Sequence, residues 1–313
     1  MKYIDLHCDT AYEMLYNNRK LNRDEKLSVD IEKLIKGNAL AQVFACFIDI
    51  GEIKNSPYKE FELMHNNLIK QINNNKESIK VVTNYNDLIN AKNEKKVGAF
   101  LSIEEGEVLE GNIDNISKVY DKGIRFITLT WNYKNSIGYP NYNYLYKDKG
   151  LTDIGKQILL EMEYRNIVPD VSHLSDQGFY DVIELTKKPI IATHSNSRQI
   201  KNHPRNLTDN MIHMLSDKGG IMGMNFCSDF VASSEITYID DLINHIDHIK
   251  NVGGIDVIAL GSDFDGIENQ VEIKNTSEMN KLAERLLSKG FTENEVEKIF
   301  YKNAERFIKD TLG

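Results

Sequence analysis

Five short apolar runs in this chain each end in side chains that can hold a metal ion or carry a proton. The first is Tyr3-Ile4-Asp5-Leu6-His7-Cys8-Asp9-Thr10. Read as a strand, its period of two puts His7 and Asp9 on one face at the carboxyl end. An imidazole and a carboxylate then stand side by side on rigid backbone. The pattern recurs in Ile103-Glu104-Glu105-Gly106, Val171-Ser172-His173, Ala192-Thr193-His194 and Leu260-Gly261-Ser262-Asp263. One His-X-Asp is a weak signal, but five such endings point to a metal-dependent hydrolase. The donors exceed what a single four-coordinate Zn²⁺ needs. They suit two ions about 3.5–4 Å apart, bridged by a carboxylate and a water or hydroxide. His7 and Asp9 would complete one ion, His173 and His194 the other. Glu104 is the expected bridge and Glu105 its competitor. Nitrogen and oxygen donors without thiolate fit two Zn²⁺, and equally Mn²⁺, Co²⁺ or Fe²⁺. Cys8, between two inward ligands, should point outward.

Two more residues carry chemistry. Asp263, at the end of the last run, could take and return the proton of the attacking water. Asp265 reads as its exposed neighbour, a turn residue before Gly266. Arg205, in His203-Pro204-Arg205-Asn206-Leu207, could pair bidentately with a substrate carboxylate; a surface salt bridge is the competing reading. His65, His203, His213, His245 and His248 read as ordinary core or surface residues, the last two on a solvated helix face.

These residues need a scaffold that gathers them. Strands are expected at 3–8, 40–49, 97–103, 124–130, 168–171, 189–193, 220–226 and 257–261. Helices are expected at 57–75, 113–122, 152–165, 177–187, 208–218, 238–251, 278–289 and 293–309. Asp30, Thr152, Ser175 and Thr292 are candidate N-caps. Strictly alternating strand and helix implies parallel pairing, and eight repeats imply a closed (β/α)8 TIM barrel. No linker splits residues 1–313, so one domain is expected. In this fold functional groups gather at the carboxyl ends of the strands, where all five endings fall. The segment 132–150, rich in Tyr, Asn and Gly, reads as a long loop over the mouth.

Length and composition fit that reading. The 313 residues are 41% hydrophobic and 27% charged, enough for a substantial globular core. The net charge of -9 argues against a nucleic-acid partner. Three scattered cysteines make no disulfide framework. Residues 1–10 lack a secretion signal, and the apolar run 39–50 is too short to span a bilayer, so a cytoplasmic protein without membrane attachment is expected. A homodimer is left open.

The motifs together resemble the membrane (renal-type) dipeptidase family, the M19-type zinc peptidases of the amidohydrolase-like barrels. The matching pieces are Asp5-Leu6-His7-Cys8-Asp9, Ser102-Ile103-Glu104-Glu105-Gly106, Asp170-Val171-Ser172-His173, Thr193-His194-Ser195-Asn196, Pro204-Arg205-Asn206-Leu207 and Gly261-Ser262-Asp263-Phe264-Asp265-Gly266. They occur in family order over essentially the whole chain. The resemblance implies a binuclear zinc site of His7, Asp9, Glu104, His173 and His194. It also implies that Arg205 holds the substrate's C-terminal carboxylate and that Asp263 serves the catalytic water. Aligned with the family's Glu-Gly-Gly, Glu104 is the bridge and Glu105 stands where Gly is usual. One departure concerns the substrate: Trp131 occupies the place of a histidine that polarises the scissile carbonyl. An indole N–H donates one hydrogen bond and cannot become cationic.

The expected function is hydrolysis of small dipeptides by attack of a metal-bridging hydroxide. Trp131 keeps open a barrel amidohydrolase acting on N-acyl amino acids, lactams or cyclic amides. An inactive peptide-binding barrel is the alternative outside the enzymes, disfavoured by the intact Asp263.

Overall fold

The computed structural model describes all of residues 1–313. All eight expected strands are present: β1 (Tyr3–Asp5), β2 (Ala39–Phe47), β3 (Val97–Glu104), β4 (Ile124–Thr128), β5 (Val168–Asp170), β6 (Ile191–Ala192), β7 (Ile221–Met224) and β8 (Ile258–Leu260). Each is parallel to the next, and β8 returns to β1 at Leu260↔Asp5, which closes the barrel. The expected helices surround it. Asp30, Thr152, Ser175 and Thr292 each accept a backbone N–H of the first helical turn, Thr292 within a capping box with Glu295.

The hydrophobic side chains sort into two layers. Ile4, Leu6, Val43, Phe100, Phe126, Val168, Ile191, Ile221 and Ala259 fill the barrel, and Phe307 and Ile308 of the last helix, Asn303–Leu312, pack against them. The alternate strand residues, such as Cys46, Leu101, Ile127, Met222 and Leu260, pack in the larger outer layer under the helices. Cys8 belongs to that outer layer, as its position between His7 and Asp9 implied.

Sequence reasoning missed several elements. Ile79–Val81 is a short strand beside the first residues of β3, because β4 pairs with β3 only from Leu101 onward. Two-residue strands Ile236–Thr237 and Gln270–Val271 pair above the mouth. Helices Thr10–Tyr16 and Tyr85–Asn93 are too short to carry a clear period. A π turn at Lys298–Lys302 joins helix Glu293–Glu297 to the last helix.

Most strands also stop earlier at the rim than their apolar runs suggest, because side chains there take over the backbone ladder. The Asp5 carboxylate accepts the Ser262 N–H (2.8 Å), Asp170 accepts the Thr193 N–H (2.9 Å), and the Asn196 amide oxygen accepts the Asn225 N–H (3.0 Å). Buried backbone donors must be satisfied, and here carboxylates and an amide satisfy them. The rim is thereby a layer of polar groups on a parallel barrel.

Candidate metal centre

Phe100, Ser102 and Glu104 share one face of β3, so the pleat aims Glu104 into the barrel and Glu105 away from it. Register places Glu104 between Phe47 of β2 and Thr128 of β4. Its carboxylate faces both ways. Oε2 lies 3.1 Å from His7 Nε2; Oε1 lies 3.1 Å from His173 Nε2 and 3.5 Å from His194 Nε2. Asp9 Oδ2 is 3.5 Å from His7 Nε2, and the two Nε2 atoms of His173 and His194 are 3.1 Å apart. The five side chains thus form two triads, His7–Asp9–Glu104 and Glu104–His173–His194, that share the glutamate. All five are buried.

The donor set fits metal ions. Donors around a tetrahedral ion with bonds of about 2.0–2.1 Å are separated by about 3.3 Å, the spacing seen on these triads. His7 Nε2 and Asp9 Oδ1 are buried atoms without a hydrogen-bond partner, a costly arrangement unless a cation satisfies them. Gly266 preserves the space: a Cβ there would fall 2.0 Å from Asp9 Oδ2 and 3.0 Å from Asp263 Oδ1.

The rim backbone is strained where it aims two of these groups. His173 (φ +67°) and Asp263 (φ +62°) occupy the left-handed region, which L-residues enter at a cost of about 1–3 kcal/mol and which concentrates at functional sites. Each turn sends a side chain inward just after its strand has ended.

Partners outside the triads set the histidine tautomers. The Thr193 hydroxyl donates to Asp170 Oδ2 (2.5 Å), so its oxygen accepts from His194 Nδ1 (2.8 Å). His194 therefore carries its proton on Nδ1 and presents a bare Nε2 to the centre. His173 Nδ1 stands 3.3 Å from the Asn132 amide oxygen, an acceptor, with the same consequence. Asn225 donates to Asp263 Oδ2 (2.8 Å) while its own oxygen accepts the Cys227 N–H (2.6 Å). Asp263 Oδ1 is left 3.8 Å from His7 Nε2. Asp170, Asn132 and Asn225 escaped sequence reasoning. Asp170 carried a readable signal, since an acid inside Val168-Pro169-Asp170-Val171 must find buried partners.

The electrostatics follow from burial and crowding. Burial, reinforced by Arg205, pushes the His173 imidazole down to about 4, and burial with His7 and Arg205 holds His194 well below its ordinary value. Both are held neutral at neutral pH, the state in which an imidazole can bind a metal ion. Burial alone would lower His7 too, but Glu104 and Asp9 outweigh it and hold it well above the usual range.

The remaining expected site residues fall on the same mouth. Arg205 is buried and has no carboxylate in hydrogen-bond reach: Nη2 donates to the His194 carbonyl (3.2 Å), while Nε and Nη1 have no partner. The salt-bridge reading fails for it. Trp131 borders the centre, its ring centroid 6.2 Å from that of His173. Glu105 is spent on structure, accepting the N–H groups of Glu107 (2.8 Å) and Trp131 (3.1 Å), and burial lifts its carboxyl to about 7.

Two expectations are corrected. Asp265 is no exposed turn acid; its carboxylate accepts from Ser28 N (2.5 Å), Val29 N (3.3 Å) and the Thr10 hydroxyl (2.7 Å), tying three rim segments together. His245 is not on a solvated face. It is fully buried, accepts the Ser197 N–H on Nδ1 (3.1 Å) and donates from Nε2 to the Val231 carbonyl (2.9 Å). The loop 132–150 does lie over the mouth: Asn141 N donates to the His173 carbonyl (2.7 Å) and the Tyr144 hydroxyl to Asn202 (2.9 Å).

A closed parallel barrel with imidazoles and carboxylates gathered on its carboxyl-end rim defines a metal-dependent hydrolase. The sequence model of the family described as membrane dipeptidase (peptidase family M19) matches residues 1–312. The chain belongs to that family, and with it is a metal-dependent dipeptidase. It is 28% identical to an uncharacterised dipeptidase of Schizosaccharomyces pombe, over 99% of this chain and 80% of that protein. Its fold is similar to that of a metallopeptidase from Rhodobacter sphaeroides (TM-score 0.93, 21% identity, 99% of each chain). A dipeptidase of family M19 is equally similar in fold (TM-score 0.93, 22% identity, 100% of this chain and 99% of that one). Despite the family's name, no helix here is long and apolar enough to cross a membrane.

Proposed function

We propose that residues 1–313 form one catalytic domain, a binuclear zinc dipeptidase with His7, Asp9, Glu104, His173 and His194 as ligands. The observation that carries this reading is the Glu104 carboxylate, with one oxygen toward each triad. Two bound ions would polarise the scissile carbonyl and lower the pKa of water. The rest is done by the chain's own groups. Asp263 sits at the rim with Oδ2 held by Asn225, so Oδ1 takes the proton of the attacking water and returns it to the leaving amine. The two unpartnered N–H groups of Arg205 match the fork of a carboxylate, here the free C-terminus of the substrate. Trp131 flanks the scissile bond. The Rhodobacter relative was liganded with a phosphinate mimic of L-Ala-D-Ala, which supports a ligand of dipeptide size.

A second reading rests on Trp131. Without a cationic group at that place, an N-acyl amino acid or cyclic amide bearing a carboxylate would satisfy the same Arg205 and the same metals.

Metal analysis of the purified protein, coupled to a screen of dipeptides, C-terminally amidated dipeptides and N-acyl amino acids, tests both. We expect about two transition-metal ions per chain, loss of at least one in His173→Ala, and turnover of free-acid dipeptides that a chelator abolishes. A well-folded, active preparation without metal sinks the binuclear reading; turnover confined to N-acyl amino acids selects the second.

A further inference from the structure

Five aromatic rings run unbroken from the metal centre to the outer edge of the barrel mouth. Trp131, 6.2 Å from His173, meets Phe47 edge-on at 4.7 Å and Tyr133 at 5.8 Å between centroids. Phe47 lies 5.6 Å from Tyr12, and Tyr12 lies 4.6 Å from Tyr16. These separations are those of favourable aromatic pairs. Three elements build the line. Phe47 ends β2 in register with Glu104; Trp131 and Tyr133 follow β4; Tyr12 and Tyr16 stand one turn apart on helix Thr10–Tyr16. No ring of the five is fully buried, and Tyr133 and Tyr16 are 41% and 47% exposed. The Tyr16 hydroxyl is already committed to Glu60 Oε2 (3.0 Å), which leaves the ring as what it offers. Such a row of half-covered rings beside a polar centre is surface with an apolar ligand still to gain.

Its place relative to Arg205 says which part of the substrate it meets. Arg205 bonds the carbonyl of His194, two residues past β6, and lies over Phe230, beyond β7, at 5.2 Å. The rings follow β1, β2 and β4, across the mouth. A dipeptide with its carboxylate on Arg205 therefore lays its amino-terminal residue over the rings.

We propose that this aromatic line is the subsite for the amino-terminal side chain and selects an aromatic or large apolar residue there. The inference rests on the dipeptidase reading above. Asp49 and Glu52 lie near Tyr12 and Tyr133 and would instead favour a cationic side chain if charge dominated; the test includes that case.

Trp131 is the chain's sole tryptophan, so its emission reports the subsite without turnover. Zinc-loaded protein is titrated with reduced-amide isosteres of Phe-Ala, Ala-Phe and Lys-Ala, which cannot be hydrolysed. Burial of one aromatic side chain makes the Phe-Ala isostere bind about tenfold tighter or more than Ala-Phe, and it alone should shift the emission. Phe47→Ala keeps the fluorophore and should bring the two affinities to within about threefold, as most of that burial is lost. Tyr12→Leu, at a partly exposed ring, should narrow the gap too and guards against misfolding of the first variant. Equal affinities in the parent protein, or tightest binding by Lys-Ala, overturn the proposal. Hydrolysis of Phe-Ala and Ala-Phe by the same preparation separates the two levels. If both are cleaved but the isosteres bind alike, the subsite alone falls. If neither is cleaved with two ions bound, the dipeptidase reading falls and takes the subsite with it.

Discussion

Asp170→Asn should uncouple metal binding at one triad although Asp170 touches neither triad's donor atoms. The carboxylate accepts four hydrogen bonds: Ser172 N (3.0 Å) and Thr193 N (2.9 Å) on Oδ1, the hydroxyls of Thr128 (2.7 Å) and Thr193 (2.5 Å) on Oδ2. Asn can keep the two on its oxygen. Its NH2 group then faces two hydroxyls that were donors, and both must turn. Thr193, no longer able to donate to residue 170, donates instead to His194 Nδ1. That moves the imidazole proton to Nε2, the nitrogen that faces Glu104 and His173. Partners of this kind are worth about 10–100-fold in metal affinity, or about 1.4–2.7 kcal/mol. The fold should lose a further 1–3 kcal/mol or so for buried groups left with the wrong partner. Competitive zinc titration against a chromophoric chelator should show one of the two binding steps weakened. Asp5→Asn is the comparison, since Asp5 accepts from Ser262 N and Oγ, and the chain of bonds continues to the His7 backbone carbonyl (3.5 Å) rather than to an imidazole. It should lose similar stability and much less metal affinity. Equal zinc affinity in Asp170→Asn and the parent protein, with the fold intact, would refute the tautomer argument.

Asp263→Asn keeps the shape and one oxygen but cannot take the water's proton; kcat should fall by about 10²–10⁴-fold with metal content little changed, and loss of metal would make it a ligand instead. Arg205→Ala should lower kcat/KM for free-acid dipeptides by at least about tenfold, because a desolvated charge loses its partner; equal turnover of amidated and free-acid dipeptides would remove Arg205 from the site. His245 gives a pH dependence. Burial depresses its folded pKa to about 4, below the unfolded value of about 6.5. Its contribution is present above pH 6.5 and lost as pH falls toward 4. Between pH 7 and 5 the parent protein should therefore lose about 2 kcal/mol more urea stability than His245→Gln, and parallel pH profiles would dismiss the effect.

Why the site could be read from the chain, and what could not, comes down to where backbone regularity stops. Apolar runs end where strands leave the barrel, so the positions of Glu104, His173, His194 and Asp263 on one rim follow from hydrophobic pattern alone. The helices were legible for the same reason, and their caps because Asp30, Thr152, Ser175 and Thr292 each precede an amphipathic run. The choice between Glu104 and Glu105 was beyond any period argument, because alternation gives two faces without saying which is inside; Phe100 and Ser102 on the barrel side decide it. His245 was misread although the signal was present. It lies three residues after Leu242 and four before Ile249, on the buried face of helix Ile239–Gly253, whereas His248 stays partly exposed and pairs with Asp209 at 2.7 Å.

The rim itself was the least legible part. β1 ends at Asp5, and Ile4 and Leu6 point into the barrel, so strict alternation would have sent Cys8 inward and His7 outward. The reverse is found. The pleat slips by one residue just above the strand, where Asp5 and Ser262 replace the ladder. His173 makes a similar break through a left-handed backbone. A regular barrel would scatter these imidazoles between its interior and the layer under the helices. The irregular rim, held by Asp5, Asp170, Asn196 and Asn225, brings them to one carboxylate. Asp5 and Asp170 end β1 and β5, Asn225 directly follows β7, and Asn196 lies in the loop after β6; each contact joins segments far apart in sequence. No spacing rule finds such pairs. What does mark them is chemistry: each is a carboxylate or amide at the edge of an apolar run, where burial without a partner would be too costly to keep.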